Sequence, residues 1–288
     1  MPEEKKERIK VELEGVPETL LWNLYNRAAE ARRPGSRVLD DPRAVELVDR
    51  IDYPFDRFGT AAMAQWHALR VRCLDDEVRR FLAERPGGTV VALGEGLETQ
   101  FWRVDDGRVR WLTVDLPETV AVRGTLLPDD PPRRRSLACS ALDLRWMDEV
   151  GEDVAGRDVL VTAQGLLMYL PEKDAKGLIA ACAERFPGGR FLFDALPRAM
   201  VARNQAGAMD RGGDAGYRAP RWEWGMDAKE YRKVAAASPR ITEVRSLRFR
   251  RGRGLYALAP LSHLIPGVRS MRMSIIAVRF GEDPGAAE

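Results

Sequence analysis

Thr89-Val-Val-Ala-Leu-Gly-Glu-Gly-Leu-Glu-Thr-Gln-Phe-Trp-Arg103 decides how the chain is read. The apolar run Thr89 to Leu93 has the length and composition of a buried strand, and it stops at Gly94-Glu95-Gly96, where a helical pattern begins. This is the handover from parallel strand to helix in a nucleotide-binding crossover. Gly94 permits a tight turn, and Gly96 lets the backbone approach a ligand with no Cβ in the way. A second apolar run, Val109 to Val114, ends at Asp115, twenty-one residues beyond Gly94, where an acid grips ribose hydroxyls. Together these features predict binding of a nucleoside cofactor, with Gly94, Gly96 and Asp115 as its contacts.

The dinucleotide fingerprint needs a third Gly or Ala three positions after the second, so that strand and helix pack closely around a pyrophosphate. Thr99 occupies that position. S-adenosylmethionine has no phosphate and needs only ribose anchoring, a flat slot for adenine and ion pairing for its amino-acid end. Thr99 therefore favours a methyltransferase over a NAD-dependent oxidoreductase.

The chain has 288 residues, enough for one large α/β domain with additions. A net charge of +2 argues against a strong field for nucleic acid or an anionic membrane. Cys73, Cys139 and Cys182 lack metal-ligand spacing and sit in apolar patterns, so they read as reduced core thiols. No apolar run reaches the length of about 18 residues that a membrane span needs, and the N-terminus is charged. The expectation is a cytoplasmic enzyme with a small-molecule partner, no metal, no nucleic acid and no membrane.

Residues 1–85 read as a helical extension covering the core, with helices from Glu18 to Arg33, after Asp41-Pro42, and over Ala61 to Leu82. From 86 to 288 the pattern becomes a core of alternating strands and helices. Strands are expected at 89–93, 109–114, 136–140, 158–163 and 190–195, with a closing pair at Ile241 to Phe249 and Met273 to Phe280. A helix from Ala175 to Phe186 links the fourth and fifth. Residues 197–240, which include the Gly-rich loop Asp210 to Gly225, read as a substrate lid. The fold class is thus α/β, a Rossmann-like seven-stranded sheet.

Several segments together resemble the leucine carboxyl methyltransferase family of class I S-adenosylmethionine-dependent methyltransferases. They are Leu69-Arg-Val-Arg-Cys-Leu-Asp-Asp76, Leu93-Gly-Glu-Gly-Leu-Glu-Thr99 with Arg103, Val114-Asp-Leu-Pro117, Ala141-Leu-Asp-Leu144, Ala163-Gln-Gly-Leu-Leu-Met-Tyr-Leu-Pro171 and Phe193-Asp194. Within that family the chain is most similar to the bacterial branch of tetracenomycin-type polyketide carboxyl methyltransferases. It is less similar to the branch that esterifies a protein C-terminus. The resemblance implies that Arg70 pairs with the cofactor's carboxylate, with Arg72 as the competitor for that role. It implies that Asp143 and Leu144 border the adenine, Asp143 being open to reading as a helix cap, and that position 164 lies beside the cofactor's amino group. Two positions depart from the family pattern: Glu98 stands where Asp is common, and Gln164 where many relatives have Glu.

Methyl transfer from a sulfonium is a direct displacement that needs chiefly alignment. A carboxylate acceptor, with a pKa of about 4, needs no base, whereas a phenol near pKa 10 usually does. The chain has two histidines, and His67, on the Arg70 helix, is the candidate to orient substrate or act as a base; His263 reads as structural. Tyr169 ends the fourth-strand motif and is the second candidate for the reacting end. Trp66, Tyr217, Trp222 and Trp224 could line a slot for a flat acid, while Trp102 reads as core. The run Arg133-Arg134-Arg135 reads as a solvated loop, and the cluster Arg245 to Arg253 as solvent-facing charge. The expected reaction is methyl ester formation on an aromatic or polyketide-like acid. Methylation of a phenol or other hydroxyl is the alternative, and a non-catalytic binding module with the same fold is a further one.

Overall fold

A computed structural model describes residues 8–10, 19–35, 37–55, 60–128, 131–151, 154–207, 220–262, 264 and 272–282. Seven strands form one sheet: β1 (Thr89–Leu93), β2 (Arg110–Asp115), β3 (Arg134–Ala138), β4 (Val159–Ala163), β5 (Arg190–Ala195), β6 (Ile241–Ser246) and β7 (Ser274–Phe280). Their order is β3-β2-β1-β4-β5-β7-β6. The first five are parallel, and β7 runs antiparallel between β5 and β6. Every residue of β1, β4 and β5 is buried, which is why their centres read as apolar runs without alternation; in β5 the charged Arg190 and Asp194 flank Phe191-Leu192-Phe193.

Alternation along the strands divides the core. Val91 and Leu93 pack with Trp146, Ile179 and Phe186 on one face, and Val90 and Ala92 with Leu74, Val78 and Phe101 on the other. The first face is covered by α6 (Glu172–Arg185), the second by α3 (Ala61–Glu84) and α4 (Gln100–Val104). Helices α1 (Thr19–Ala31) and α2 (Pro42–Arg50) pack on each other, and α1 also packs on α3. The hydroxyl of Thr60 caps α3 and the carboxylate of Asp41 caps α2, with Pro42 in the first turn, as the Asp-Pro pair predicts. Two further helices, α5 (Pro117–Leu126) and α7 (Arg198–Gln205), follow β2 and β5.

Some boundaries differ from expectation. β3 begins at Arg134 and not at 136, because the Arg134 side chain turns inward and the strand pairs with Trp111 from that residue on. β6 ends at Ser246, three residues before Phe249, which packs beside Trp66. Of the expected lid, 208–219 lie outside the described residues. Farther along the same segment, the backbone N–H groups of Glu223 and Trp224 donate to Met168 O and that of Met226 to Leu196 O. No described helix is long and apolar enough to cross a membrane, and no described cluster of His, Cys, Asp or Glu could hold a metal.

Candidate functional site

A cavity of about 300 Å³ opens at the C-terminal ends of β1, β2 and β4, where the strand order reverses direction. The sharp turn after β1 forms its floor, with Gly94 and Gly96 at φ +60 and +54. The positive φ disfavours any side chain at either position; a Cβ on Gly94 would also press on the Leu166 Cδ1 tip at 2.9 Å and one on Gly96 on the Leu20 Cδ2 tip at 2.5 Å. The turn is locked to β2: Gly94 N donates to Val114 O at 2.8 Å, and Gly96 N to Asp115 Oδ2 at 2.7 Å. Leu116 N donates to the other oxygen, Asp115 Oδ1, at 2.8 Å. Burial pushes the Asp115 carboxyl above its ordinary pKa, and these two backbone bonds oppose the shift.

Two buried ionic clusters hold the turn. Beneath Gly96, Arg123 Nη1 donates to Gly96 O at 2.5 Å, and Glu95 pairs with Arg123 at 3.4 Å and Arg134 at 3.1 Å. Glu95 also accepts from the hydroxyl of Thr113. On the other side, Arg103 forks onto Asp75 (2.8 and 3.1 Å) and reaches Asp41 at 2.7 Å and Glu98 at 2.8 Å. Arg27 joins Asp41 at 3.1 Å and Glu98 at 3.1 Å. Burial raises the Glu98 carboxyl, but Arg103 and Arg27 outweigh it and bring it down to about 2. Thr99, which breaks the dinucleotide fingerprint, donates its hydroxyl to Asp41 at 2.7 Å. Neither cluster was legible as such: a single Arg or Asp in an amphipathic helix reads as solvent-facing. Arg134 overturns the reading of its basic run as a solvated loop, because it lies buried against Glu95 while only its neighbours reach the surface.

Of the residues singled out in the sequence, Arg70, Gly94, Asp115, Gln164 and Tyr169 line this cavity. Arg70 Nη1 pairs with the fully buried Asp194 at 3.0 Å, and Asp194 also accepts from Gly165 N at 2.6 Å. Arg72 points elsewhere, its guanidinium donating to Val38 O at 2.8 Å. Gln164 Nε2 donates to Glu98 Oε2 at 2.9 Å. Burial raises the Tyr169 phenol above its ordinary pKa.

Other expectations are not met by placement. Asp143 and Leu144 do not line the cavity; Asp143 caps a 3-10 turn and pairs with Arg145 at 2.5 Å, while Ser140, Ala141 and Leu142 form the wall. Trp224 is core, 6.2 Å from the Phe193 ring. Trp66 packs on Phe249 and Tyr256. Trp66, Tyr169 and Trp222 also border an apolar cluster of Met168, Leu196, Val201 and Met273 beside the cavity. Tyr217 and His263 lie outside the described residues. Arg245, Arg250 and Arg253 are not merely solvated: they pair with Glu77, Asp76 and Glu30. Cys73 and Cys182 are buried free thiols, and Cys139 is a half-buried one.

His67 is a correction. It does not line the cavity but meets Trp22 edge-on, ring centroids 4.6 Å apart. Burial, reinforced by Arg70 and Arg27, lowers its pKa to about 3, so at neutral pH it is neutral and a very weak base. The consequence for stability has a definite sign. The folded state refuses a proton that the unfolded chain takes up below about pH 6.5, so stability is lost as pH falls from 6.5 toward 3. Between pH 6.5 and 5 this amounts to about 2 kcal/mol. Denaturant titrations at pH 7 and pH 5 should therefore show a smaller acid loss for His67→Gln than for the wild type, and equal losses would contradict the burial argument.

The cavity thus offers a paired carboxylate for vicinal hydroxyls, a guanidinium for an anionic end, amide acceptors and apolar walls. Comparison with known proteins bears on what fits there. The family model described as leucine carboxyl methyltransferase matches residues 21–183. The tetracenomycin polyketide synthesis O-methyltransferase of Streptomyces glaucescens is 37% identical over 188 residues, covering 65% of this chain and 68% of the relative. An S-adenosyl-L-methionine-dependent methyltransferase of Gibberella zeae is 29% identical over 205 residues, with the same coverages of 65% and 68%. Two solved structures share the fold: a candidate methyltransferase from Thermobifida fusca (TM-score 0.53, 16% identity, 89% of this chain and 94% of that one) and the CurJ carbon methyltransferase (0.52, 12%, 92% and 68%).

Proposed function

The chain belongs to the leucine carboxyl methyltransferase family of S-adenosylmethionine-dependent methyltransferases, and from that premise we propose that it forms methyl esters on an aromatic or polyketide-like carboxylic acid. The residues of the cavity fit the cofactor. Asp115 suits the ribose hydroxyls, Leu116, Ala141 and Leu142 the adenine, and Arg70 the carboxylate of the amino-acid end. Arg70 keeps a buried Nε without a partner among the described residues, and Gln164 keeps such an Oε1. When bound, the cofactor supplies an electrophilic methyl group on a sulfonium.

The observation that carries the carboxylate reading is the lack of a usable base at the reacting end among the described residues. His67 is neutral and turned away, and Tyr169 has its phenol pushed up by burial, so it serves as a hydrogen-bond donor that orients an acceptor. A carboxylate arrives already ionised and needs only to be held in line and kept dry. The Met168–Met273 cluster, edged by Trp66 and Trp222, supplies an adaptable apolar wall for the flat body of such an acid. The relative from Streptomyces glaucescens, named for polyketide synthesis, supports this substrate class.

The test is chemical and kinetic. Aromatic acids and phenols of matched shape are incubated with S-adenosylmethionine, and the products are treated with mild alkali, which returns an ester to the acid and leaves an aryl ether intact. The expected product is alkali-labile, formed with kcat independent of pH between about 6 and 9. An alkali-stable product whose rate rises through a titration in that interval would establish the phenol alternative.

A further inference from the structure

Four exposed leucines stand in line on the surface. Leu255, Leu258, Leu261 and Leu264 recur at every third residue, beginning in the 3-10 helix Gly254–Leu261. Three-residue bonding continues past that helix, Ser262 N donating to Ala259 O at 3.2 Å and Leu264 N to Leu261 O at 2.9 Å. With three residues per turn, side chains at this spacing eclipse one another, so the four form one ridge. Their exposure runs from 46% at Leu261 to 92% at Leu255. The inner face of the same helix is fixed: Tyr256 stacks on Trp66 with ring centroids 6.1 Å apart, and Tyr256 and Ala259 pack against the Val90 face of the core. Just ahead of the helix, Arg253 N donates to Gln65 Oε1 at 2.6 Å and its guanidinium forks onto Glu30 at 2.7 Å. A single exposed leucine is ordinary, but four in register on an anchored turn form a patch, and a patch marks an interaction surface.

The charge around the ridge is one-sided. From Val244 to Phe280 the sequence has eight arginines and no Asp, Glu or Lys, a charge of +8. The whole chain carries only +2, so the remainder is negative by six (2 − 8). The modest net charge thus conceals a strongly basic segment with the ridge at its middle. Arg245, Arg250 and Arg253 are neutralised by Glu77, Asp76 and Glu30. Arg248 and Arg251, exposed just ahead of Leu255 in the chain, meet no carboxylate among the described residues.

We propose that this ridge attaches the protein to an anionic lipid surface, its leucines entering the boundary between headgroups and acyl chains while Arg248 and Arg251 meet lipid phosphates. Two observations favour lipid over other occupants. The leucines protrude, and Leu255 is free on nearly all sides; a bilayer deforms around such a ridge, whereas a protein partner must supply a matching groove. A second copy, paired ridge to ridge, would set Arg248 and Arg251 against their own counterparts, with no acid in this segment to answer them. The attachment is peripheral, reversible and sensitive to salt, and it needs no spanning helix. Tyr256 leads through Trp66 to the Met168–Met273 cluster, so the attached face adjoins the apolar wall beside the cavity. The proposal stands independently of the methyl-ester reading.

The test is co-sedimentation of the full chain with vesicles of phosphatidylcholine alone and of phosphatidylcholine containing about one-third phosphatidylglycerol. Wild type is expected to bind the anionic vesicles at least about tenfold more tightly than the neutral ones, and to be released as salt rises toward about 1 M. The double substitution Leu255→Ser and Leu258→Ser should weaken binding to anionic vesicles by about tenfold or more, because two leucines no longer leave water. The double substitution Arg248→Gln and Arg251→Gln should remove most of the preference for anionic lipid. All four side chains are exposed and none lines the cavity, so both variants should unfold at the wild-type temperature. A cooperatively folded wild type that stays in solution with both kinds of vesicle overturns the proposal, and so does equal binding by wild type and the leucine variant. A dimer in sedimentation equilibrium that the leucine substitutions dissociate, with no vesicle binding, assigns the ridge to a second copy and overturns it too.

Discussion

Asp115→Ala is expected to lower affinity for S-adenosylhomocysteine by at least about 100-fold while leaving the protein folded. The carboxylate is fixed by Gly96 N–H on one oxygen and Leu116 N–H on the other, at 2.7 and 2.8 Å, so it is aimed before any ligand arrives. Each oxygen retains a lone pair for one of two vicinal hydroxyls, and a hydrogen bond to a charged group contributes about 1.5–3 kcal/mol. Losing two such bonds corresponds to about 10²–10⁴ in the dissociation constant. Stability should suffer less, because burial already disfavours the ionised form that alanine removes. The pH dependence follows from the same shift. With the folded pKa raised, the carboxylate takes up a proton at higher pH than an ordinary Asp, and cofactor affinity should fall on acidification sooner than it would for an unperturbed carboxyl near 4. An Asp115→Ala variant that binds as tightly as wild type, measured by calorimetry, would remove the ribose assignment.

What the sequence disclosed and what it concealed differ in range. The turn Gly94-Glu95-Gly96 and the acid at the end of β2 were legible because each depends on its immediate neighbours: positive φ at glycines, and an apolar run that ends in a single acid. The seven strands were legible for the same reason, to within a few residues at their ends. The ionic floor was not. Arg103 meets Asp41 and Asp75 across 62 and 28 residues, and nothing in the local pattern of α2, α3 or α4 distinguishes these charges from solvated ones. Trp224 is expected to line a substrate slot because it falls in the lid segment, whereas its ring stacks on Phe193 in the core. Asp143 was assigned through family resemblance, and in this chain Arg145 two residues on captures its carboxylate. Gln164 shows the opposite case: its departure from the family was visible in the sequence, but its meaning depends on Glu98, 66 residues away.

Arg103→Met should destabilise the fold by about 3–5 kcal/mol, the cost of removing one partner from a buried ion pair and leaving the others uncompensated. Arg103 is 4% exposed in its side chain and answers three carboxylates, Asp41, Asp75 and Glu98, so its loss leaves Arg27 to answer Asp41 and Glu98 and takes from Asp75 its guanidinium partner. The variant's deficit should be greatest near neutrality and shrink in acid, for a reason with two parts. In wild type the folded Glu98 pKa is depressed to about 2, so its contribution is present above the unfolded value of 4.5 and is lost as pH falls through 2. In the variant the crowded carboxylates take up protons more readily, which favours the folded state at low pH. Denaturant titrations at pH 7 and pH 4 check this, and a deficit that stays constant or grows in acid would show that Arg103 acts through packing and not charge. The same substitution reaches the cofactor, because Glu98 orients Gln164 and Thr99 anchors the turn through Asp41. A variant rescued in stability by added ligand-independent means, such as an osmolyte, should still bind S-adenosylhomocysteine more weakly than wild type, since the floor that aims the amide is no longer held in place.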